Sequence, residues 1–363
     1  MLTSWYVGLI FFTALAVAAI VTPPLTLLAY RKKIVDRPGR HKPHSASKLL
    51  LGGLAIFFGF LLTVVIFTAL GEPLPSLILG ALLLVVVGLY DDIYDLPPLI
   101  KLSAQVLTVS LVVYGNGERL VMLEETFISL QLPALIVLPL AVGFVVLAIN
   151  AFNLIYGLDG LAAGTGAILF TTLASVTIIR GGDLNMFYVQ VIGAGVCSGF
   201  LFFNFEPAQI FMGDTGSMLL GYLLSTSFLF SLNSEPGGAA ILGAILIFGY
   251  PVFDTFYAIY RRLREGRSIL KADRGHIHHL LIKLGFTASQ AVLILYTGSI
   301  VFALFAFLIL TRPLLPAVLV LIVSVVVGVN LLGLKLLIVL STHKALGLNA
   351  TEAKGRSLAG GEN

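Results

Sequence analysis

Three carboxylates, Asp91, Asp92 and Asp95, stand together at the end of an apolar run. If that end is helical, Asp91 and Asp95 share a face, because residues four apart are neighbours on a helix. Carboxylates beside lipid are costly unless they are paired or coordinate a cation. Hard oxygen ligands favour Mg2+ over zinc, so the cluster predicts a magnesium site, with Mn2+ as the alternative ion. A solvated helix end is the competing interpretation.

A fourth carboxylate, Asp214, comes just before another apolar run. Alone, this position is typical of a helix N-cap, where a side-chain oxygen accepts a backbone hydrogen bond. The membrane topology places it on the same side as the first cluster, which favours a metal ligand instead. We therefore predict Asp91, Asp92 and Asp214 as catalytic residues and metal ligands.

Two amides, Asn150 and Asn153, lie about one helical turn apart and precede a glycine-rich break that contains Asp159. Amide and carboxylate groups can bind a nucleobase, a ribose or a phosphate. The small residues Gly160 and Gly164 are equally typical of helix packing in membranes. At this stage substrate binding and helix packing are both open for the segment.

Three of the six histidines, His276, His278 and His279, stand together in a basic segment that includes Arg274. Their spacing matches no standard zinc motif. Histidines among basic residues suit a diphosphate, because their N–H groups can stabilise charge on a leaving group. The alternative is a basic helix that lies on anionic lipid.

The segment 36–44 is also basic and rich in turn-forming residues. Lys42 and His44 are its candidates for phosphate binding, although membrane topology alone would explain its charge. The sequence contains no Walker A motif, no Rossmann glycine fingerprint and no Gly-x-Ser-x-Gly or His-Glu-x-x-His motif. Their absence disfavours ATP-driven transport, hydride transfer, hydrolytic triads and zinc proteolysis.

The elements that position these residues are membrane helices. Of the 363 residues, 58% are apolar and 11% are charged, whereas soluble domains carry about 25% charged residues. A membrane span takes about 20 mostly apolar residues. Apolar runs occur at about 5–30, 50–70, 74–90, 100–114, 132–152, 161–179, 186–203, 216–232, 238–260, 290–311 and 314–340. We predict an all-α polytopic membrane protein with 10–11 transmembrane helices.

This pattern leaves no stretch for a separate soluble module. Residues 1–340 are therefore predicted to form a single transmembrane catalytic domain, followed by a short tail at 341–363. Lys and Arg concentrate before the second and tenth runs and in the tail, whereas the alternate loops hold only Arg119, Arg180 and Arg312. Because cytoplasmic loops are enriched in Lys and Arg, we predict an external N-terminus and a cytoplasmic C-terminus.

The same parity makes the loops 31–49, 91–100, 153–160, 204–216 and 261–289 cytoplasmic. All the polar clusters fall within or beside these loops, although nothing in the count of basic residues requires it. The sequence therefore predicts one composite site at the cytoplasmic face of the membrane.

Together these motifs resemble the polyprenyl-phosphate N-acetylhexosamine-1-phosphate transferase superfamily, glycosyltransferase family 4, from Asp36 to about Gly285. The matching pieces are Gly52-Gly53, Asp91-Asp92-x-x-Asp95-Leu96, 150–162, 204–217, Pro251-x-Phe253-Asp254 and 272–279. The His-Ile-His-His sequence at 276–279 is more similar to the bacterial undecaprenyl-phosphate N-acetylglucosaminyl-1-phosphate transferases than to the phospho-N-acetylmuramoyl-pentapeptide transferases, which have a His-His-His run.

The resemblance implies a reaction and its partners. A sugar-1-phosphate, N-acetylglucosamine-1-phosphate by similarity, would pass from a UDP-N-acetylhexosamine to undecaprenyl phosphate and release UMP. This would be the first membrane step of a cell-envelope glycan pathway, in the bacterial cytoplasmic (inner) membrane. The implied partners are the two substrates and membrane lipid, with a homodimer left open and no nucleic acid.

The resemblance also implies roles for the residues. Asp214 would bind Mg2+, and Asp91 and Asp92 would orient the ion or deprotonate the lipid phosphate. Asn153 and Asp159 would hold the nucleotide. The residues implied for the diphosphate are Arg274, His276, His278 and His279. Direct attack by the lipid phosphate and a two-step route through an aspartyl intermediate are both compatible with these residues.

Two departures from the family pattern stand out. Tyr156 occupies a position where the family usually has an Asp, and Leu49-Leu50 replace a usual Pro-Arg, with Lys48 adjacent. The competing functions are a phospho-N-acetylmuramoyl-pentapeptide transferase, a lipid or sugar transporter, and an inactive scaffold. A transporter is disfavoured because its path should place ionisable residues near the bilayer midplane.

Overall fold

The computed structural model describes residues 4–33, 35–36, 48–68, 70–116, 134–231, 237–266 and 275–311. Apart from a short strand pair, β1 (Val35–Asp36) and β2 (Lys48–Leu49), the regular structure of these residues is helical. The helices are α1 (Ser4–Lys32), α2 (Gly52–Phe67), α3 (Leu74–Tyr94), α4 (Pro98–Gly115), α5 (Ala134–Ile155), α6 (Leu161–Ile179), α7 (Leu184–Asn204), α8 (Gly213–Ser231), α9 (Gly237–Ile247), α10 (Gly249–Arg264), α11 (Ile277–Lys283) and α12 (Ala288–Thr311).

The helices match the predicted apolar runs. Each of the ten runs within the described residues falls on one helix or on the pair α9–α10. Seven helices, α1, α3 to α7 and α12, are long and apolar enough to cross a membrane, and the bent pair would make an eighth. The eleventh run, 314–340, lies outside the described residues. An all-helical, multi-pass architecture is confirmed, whereas the number of about eleven spans stays a prediction.

Helix α8 lies at the centre of the bundle. Every residue from Thr215 to Phe230 is buried, and α8 packs against α2, α3, α5, α6 and α7. Two hydroxyl groups in its middle are satisfied within the helix: Ser225 donates to the Gly221 carbonyl, and Thr226 to that of Tyr222. The surrounding helices therefore fix the position of its N-terminus.

The apolar run at 238–260, which we expected to form one span, is two helices that meet at 82° around Phe248. Pro251 has no N–H to donate to the carbonyl of Ile247, four residues earlier, and its ring disfavours a straight helix there. The break turns α10 away from the direction of α9. It brings the buried face of α10, which includes Asp254, against the segment before α11.

Candidate active site

Four helix ends converge at one end of the bundle. They are the C-termini of α3 and α5 and the N-termini of α4 and α8. The polar side chains that meet there are Asp91 and Asp92 from α3, Lys101 from α4, Asn153 from α5 and Asp214 from α8. The structure thus brings together the carboxylates and the amide that the sequence predicted for one site.

Asp92 caps helix α8 from a distance of 122 residues in the chain. Its Oδ1 accepts the Asp214 backbone N–H at 2.7 Å, and its Oδ2 accepts the Thr215 N–H at 3.2 Å and hydroxyl at 2.6 Å. The first turn of a helix has N–H groups that lack intrahelical partners. Asp92 thus occupies the N-cap role that we considered for Asp214. Its predicted roles in catalysis and metal binding remain predictions.

Gly213 makes this close approach feasible. Its φ is +71°, and a Cβ at this position would collide with the Asp92 carboxylate. A left-handed conformation without a side chain is therefore needed where α3 meets α8.

Lys101 joins two of the carboxylates. Its Nζ lies 2.7 Å from Asp91 Oδ2 and 2.7 Å from Asp214 Oδ2. The side chains of Asp91 and Lys101 are 6% and 13% exposed, whereas that of Asp214 is 31% exposed. The network is therefore open to solvent mainly at Asp214.

The two bridged carboxylates suit a magnesium ion. Asp91 Oδ2 is buried, and the Lys101 ammonium 2.7 Å away balances its charge. In the part of the chain that the structure describes, no three His, Cys, Asp or Glu side chains are grouped closely enough to hold a metal. Mg2+ is commonly bound through one or two carboxylates together with substrate phosphates and water. Asp91 and Asp214 fit that mode.

Asn153 fixes the orientation of Asp214. Its Nδ2 donates to Asp214 Oδ1 at 2.5 Å and to the Ser217 hydroxyl at 3.0 Å. One turn deeper in the bundle, Asn150 donates to Gln105 Oε1 at 2.6 Å. The two amides noticed in the sequence therefore form two successive layers of polar contacts.

Asp159 takes part in a structural contact. Its Oδ2 accepts the backbone N–H of Ala208 at 3.0 Å. The neighbouring Gly160 donates its N–H to Asn204 Oδ1 at 3.1 Å and accepts the Tyr296 hydroxyl at 2.6 Å. The 156–160 turn is thereby tied to the 204–212 segment and to α12, and nucleotide binding by Asp159 stays a prediction.

The two departures from the family pattern both contact Phe211. The Tyr156 ring meets the Phe211 ring edge to face, with centroids 6.2 Å apart. The Leu49 carbonyl accepts the Phe211 N–H at 2.7 Å, and Gly52 donates its N–H to the Phe211 carbonyl at 3.0 Å. Tyr156 and Leu49 therefore help to hold the loop that leads into α8.

The histidine segment is anchored to α10. Asp254 is fully buried, and its Oδ2 lies 2.7 Å from His276 Nδ1, while its Oδ1 accepts the Ile277 N–H at 2.7 Å. The ring of His276 stacks on that of His278 at 5.7 Å and 5°, and His278 lies 4.2 Å from His279 between centroids. The three predicted histidines thus form one cluster.

His278 is the innermost of the three. Burial first, and then the neighbouring His279, lower the pKa of His278 to about 3, so its ring is neutral near pH 7. Neither of its nitrogens has a hydrogen-bond partner within the described residues. A Cβ at Gly157 would overlap the His278 ring, so the histidine cluster packs directly against the predicted nucleotide segment.

Some predicted site residues lie outside the described residues, and some residues of the observed site were not predicted from the sequence. Lys42, His44 and Arg274 lie outside the described residues. The sequence assigned no role to Lys101, Gln105 or Asp254. The available signals were the four-residue spacing of Lys101 and Gln105, which places them on one helix face, and the Pro251-x-Phe253-Asp254 motif.

The chain is similar to known proteins of one family. A family model described as glycosyl transferase family 4 matches residues 74–232. The chain is 35% identical over 298 residues to a probable undecaprenyl-phosphate N-acetylglucosaminyl 1-phosphate transferase of Bacillus subtilis (strain 168), covering 82% of this chain and 83% of the relative.

Two further relatives come from other bacteria. The decaprenyl-phosphate N-acetylglucosaminephosphotransferase of Mycolicibacterium smegmatis is 34% identical, with 80% of this chain and 78% of the relative covered. The undecaprenyl-phosphate alpha-N-acetylglucosaminyl 1-phosphate transferase of Escherichia coli (strain K12) is 29% identical, with 76% of each covered. The matched family region includes Asp91, Asp92, Asn153 and Asp214, and the chain belongs to glycosyl transferase family 4.

Proposed function

We propose that this protein transfers N-acetylglucosamine-1-phosphate from UDP-N-acetylglucosamine to undecaprenyl phosphate and releases UMP. One observation carries the proposal: four polar side chains converge at one end of the bundle, namely Asp91, Lys101, Asn153 and Asp214. The relatives of the chain are named as polyprenyl-phosphate N-acetylglucosamine-1-phosphate transferases. Such a site, at the end of membrane helices, suits a lipid phosphate that meets a water-soluble donor.

The reaction exchanges one P–O bond for another. A phosphate oxygen of the acceptor bonds to the sugar-linked phosphorus, and the bond from that phosphorus to the bridging oxygen breaks, so that UMP leaves with the bridging oxygen. Asp92 accepts three hydrogen bonds from the start of α8. We therefore assign to Asp91 the role of accepting a proton from the lipid phosphate, and to Asp92 the positioning of Asp214.

Mg2+ is the cofactor that we assign, with Mn2+ as the alternative ion, held by Asp91 and Asp214. When bound, the ion would neutralise the diphosphate and improve UMP as a leaving group. Lys101 balances the charge of the same two carboxylates, and Asn153 keeps Asp214 Oδ1 oriented. The histidines and Arg274 are assigned to the diphosphate, and Asn153 and Asp159 to the nucleotide.

The site is assigned to the cytoplasmic face of a bacterial inner membrane, with 10–11 spans, an external N-terminus and a cytoplasmic C-terminus. Among the Lys and Arg residues that the structure describes, only Arg180 lies at the end of the bundle opposite to the site. That asymmetry supports the orientation, because cytoplasmic ends are enriched in basic residues. A homodimer is compatible with the proposal.

A transporter is the rival function. Its path should place ionisable groups along the membrane interior. Asp254, a fully buried carboxylate of α10, instead contacts His276 at the site end of the bundle. The relatives named above also favour the N-acetylglucosaminyl reaction over pentapeptide transfer.

The test is UMP release by the purified protein from UDP-N-acetylglucosamine, with and without undecaprenyl phosphate and Mg2+. We expect release only when both are present, and loss of release in Asp214→Asn. The matched control is Asp95→Asn, because Asp95 is exposed and lies outside the network. Release with another UDP-sugar alone would overturn the donor assignment, and full activity of folded Asp214→Asn would overturn the role of that carboxylate.

A further inference from the structure

Asp254 is a buried carboxylate that the reaction as described leaves without a role. It is fully buried on the inner face of α10. Burial of a carboxylate is costly unless hydrogen bonds compensate for the lost water. Both of its oxygens are used, one on the ring of His276 and one on the backbone of Ile277, each at 2.7 Å.

The contact with the ring determines which nitrogen of His276 carries a hydrogen. An ionised carboxylate offers only acceptors, so the hydrogen of the imidazole must be on Nδ1. Nε2 is then the nitrogen left for a ligand, and it donates to an anion when the ring carries a second hydrogen there. The orientation of the ring is fixed by the same bond. Because the rings of His276 and His278 are stacked at 5°, a rotation of His276 would also disturb His278.

Helix α10 holds the segment 275–277 at a second point. The Arg261 guanidinium donates to the carbonyl of Gly275, while Asp254 binds His276 and Ile277. Arg261 and Asp254 are seven residues apart, about two turns, and therefore lie on the same side of the helix. The direction of α10, set by the break at Phe248, thus determines where the histidine cluster lies.

We propose that Asp254 is a positioning residue, whose carboxylate accepts the Nδ1–H of His276 and fixes the orientation of the ring, so that the Nε2–H of the protonated ring faces the donor diphosphate. This inference rests on the proposed function, because it assigns the histidines to the donor. Asp254 itself touches no substrate. Its effect on the reaction passes through His276.

The test uses Asp254→Asn in the full-length protein. The amide keeps the shape of the carboxylate but has one acceptor oxygen, so it cannot accept from both His276 and Ile277. We expect kcat to fall about 10–100-fold, the size typical of losing a residue that orients a functional histidine. The KM for the donor should change little, because charge on the leaving group develops mainly in the transition state.

A double-mutant cycle separates positioning from general structural support. In a His276→Gln background, Asp254→Asn should cause no further loss of kcat. The matched control is Asp183→Asn, because Asp183 caps α7 through the Met186 N–H at 3.0 Å and lies at the other end of the bundle. It should leave kcat unchanged. An equal loss from Asp254→Asn in both backgrounds would overturn the proposal.

Solid-state 15N NMR of histidine-labelled protein in lipid bilayers gives a readout independent of turnover. The His276 signal, assigned by its absence in His276→Gln, should report Nδ1–H in the wild type and change in Asp254→Asn. A wild-type His276 protonated only on Nε2 would overturn the proposal even if Asp254→Asn does not fold. If the wild type releases no UMP, the proposed function fails, whereas the NMR result still decides the contact between Asp254 and His276.

Discussion

Replacement of Lys101 by Met tests the charge balance of the site. Its ammonium lies 2.7 Å from a carboxylate oxygen of both Asp91 and Asp214. At an effective dielectric constant of about 20, each pair attracts by roughly 6 kcal/mol before desolvation is subtracted. Removal of one partner from a buried ion pair typically costs about 3–5 kcal/mol, because the remaining charge is left uncompensated. We expect Lys101→Met to lower the free energy of unfolding by about that amount in EDTA.

Addition of Mg2+ should reverse much of this loss. A divalent ion that binds Asp91 and Asp214 would replace the missing positive charge and stabilise the folded protein by mass action. The assay is equilibrium unfolding of detergent-solubilised protein at several Mg2+ concentrations. Lys101→Met should be stabilised by Mg2+ more strongly than the wild type.

The control is Lys283→Met, because Lys283 is exposed at the end of α11, and surface changes usually stay within about 0.5 kcal/mol. A loss below about 1 kcal/mol for Lys101→Met in EDTA would refute the charge argument. Equal stabilisation of wild type and variant by Mg2+ would refute the assignment of the ion to Asp91 and Asp214.

Three further predictions concern the elements around this network. Asp92→Ala should lower the free energy of unfolding by about 1–2 kcal/mol, because α8 loses its cap, and chemical denaturation measures this loss. Gly88→Ala should reduce UMP release, because its Cβ would clash with the Thr215 backbone beside Asp214; normal turnover would contradict the packing. His278 has a pKa of about 3 in the folded protein and about 6.5 in the unfolded chain. As pH falls from 6.5 towards 3, only the unfolded chain binds a proton at this residue, so the free energy of unfolding decreases. Between pH 7 and 5 the loss should be about 2 kcal/mol, and His278→Gln should abolish this part of the unfolding pH profile.

The sequence was sufficient to predict the convergence of the carboxylates. Successive membrane helices alternate in direction, so their ends return to the same side at every second loop. Asp91, Asn153 and Asp214 fall on loops of one parity, and the structure places them in contact. The apolar runs were also sufficient to predict the helices, because about 20 apolar residues in lipid can satisfy their backbone hydrogen bonds only as a helix.

The choice of partners within the site could not be predicted. Asp92 and Asp214 each carry a carboxylate near a helix end, and only the packing of α3 on α8, through Gly88 and Gly213, decides which one caps α8. The role of Asp254 depends on a break in one apolar run. Pro251 indicated the break, but the direction of the second helix depends on contacts remote in sequence.

The excess negative charge at the site favours the binding of a cation in addition to Lys101. In their ionised forms, Asp91, Asp92 and Asp214 contribute three negative charges, and Lys101 contributes one positive charge. The start of α8 stabilises the charge of Asp92, because its N–H groups and the helix dipole favour an anion. The remaining excess is carried by Asp91 and Asp214, and the proposed substrates add further negative charge from a diphosphate and a lipid phosphate. A divalent cation at Asp91 and Asp214 would reduce this repulsion, so it should bind before the donor, and the affinity for UDP-N-acetylglucosamine should fall when Mg2+ is removed.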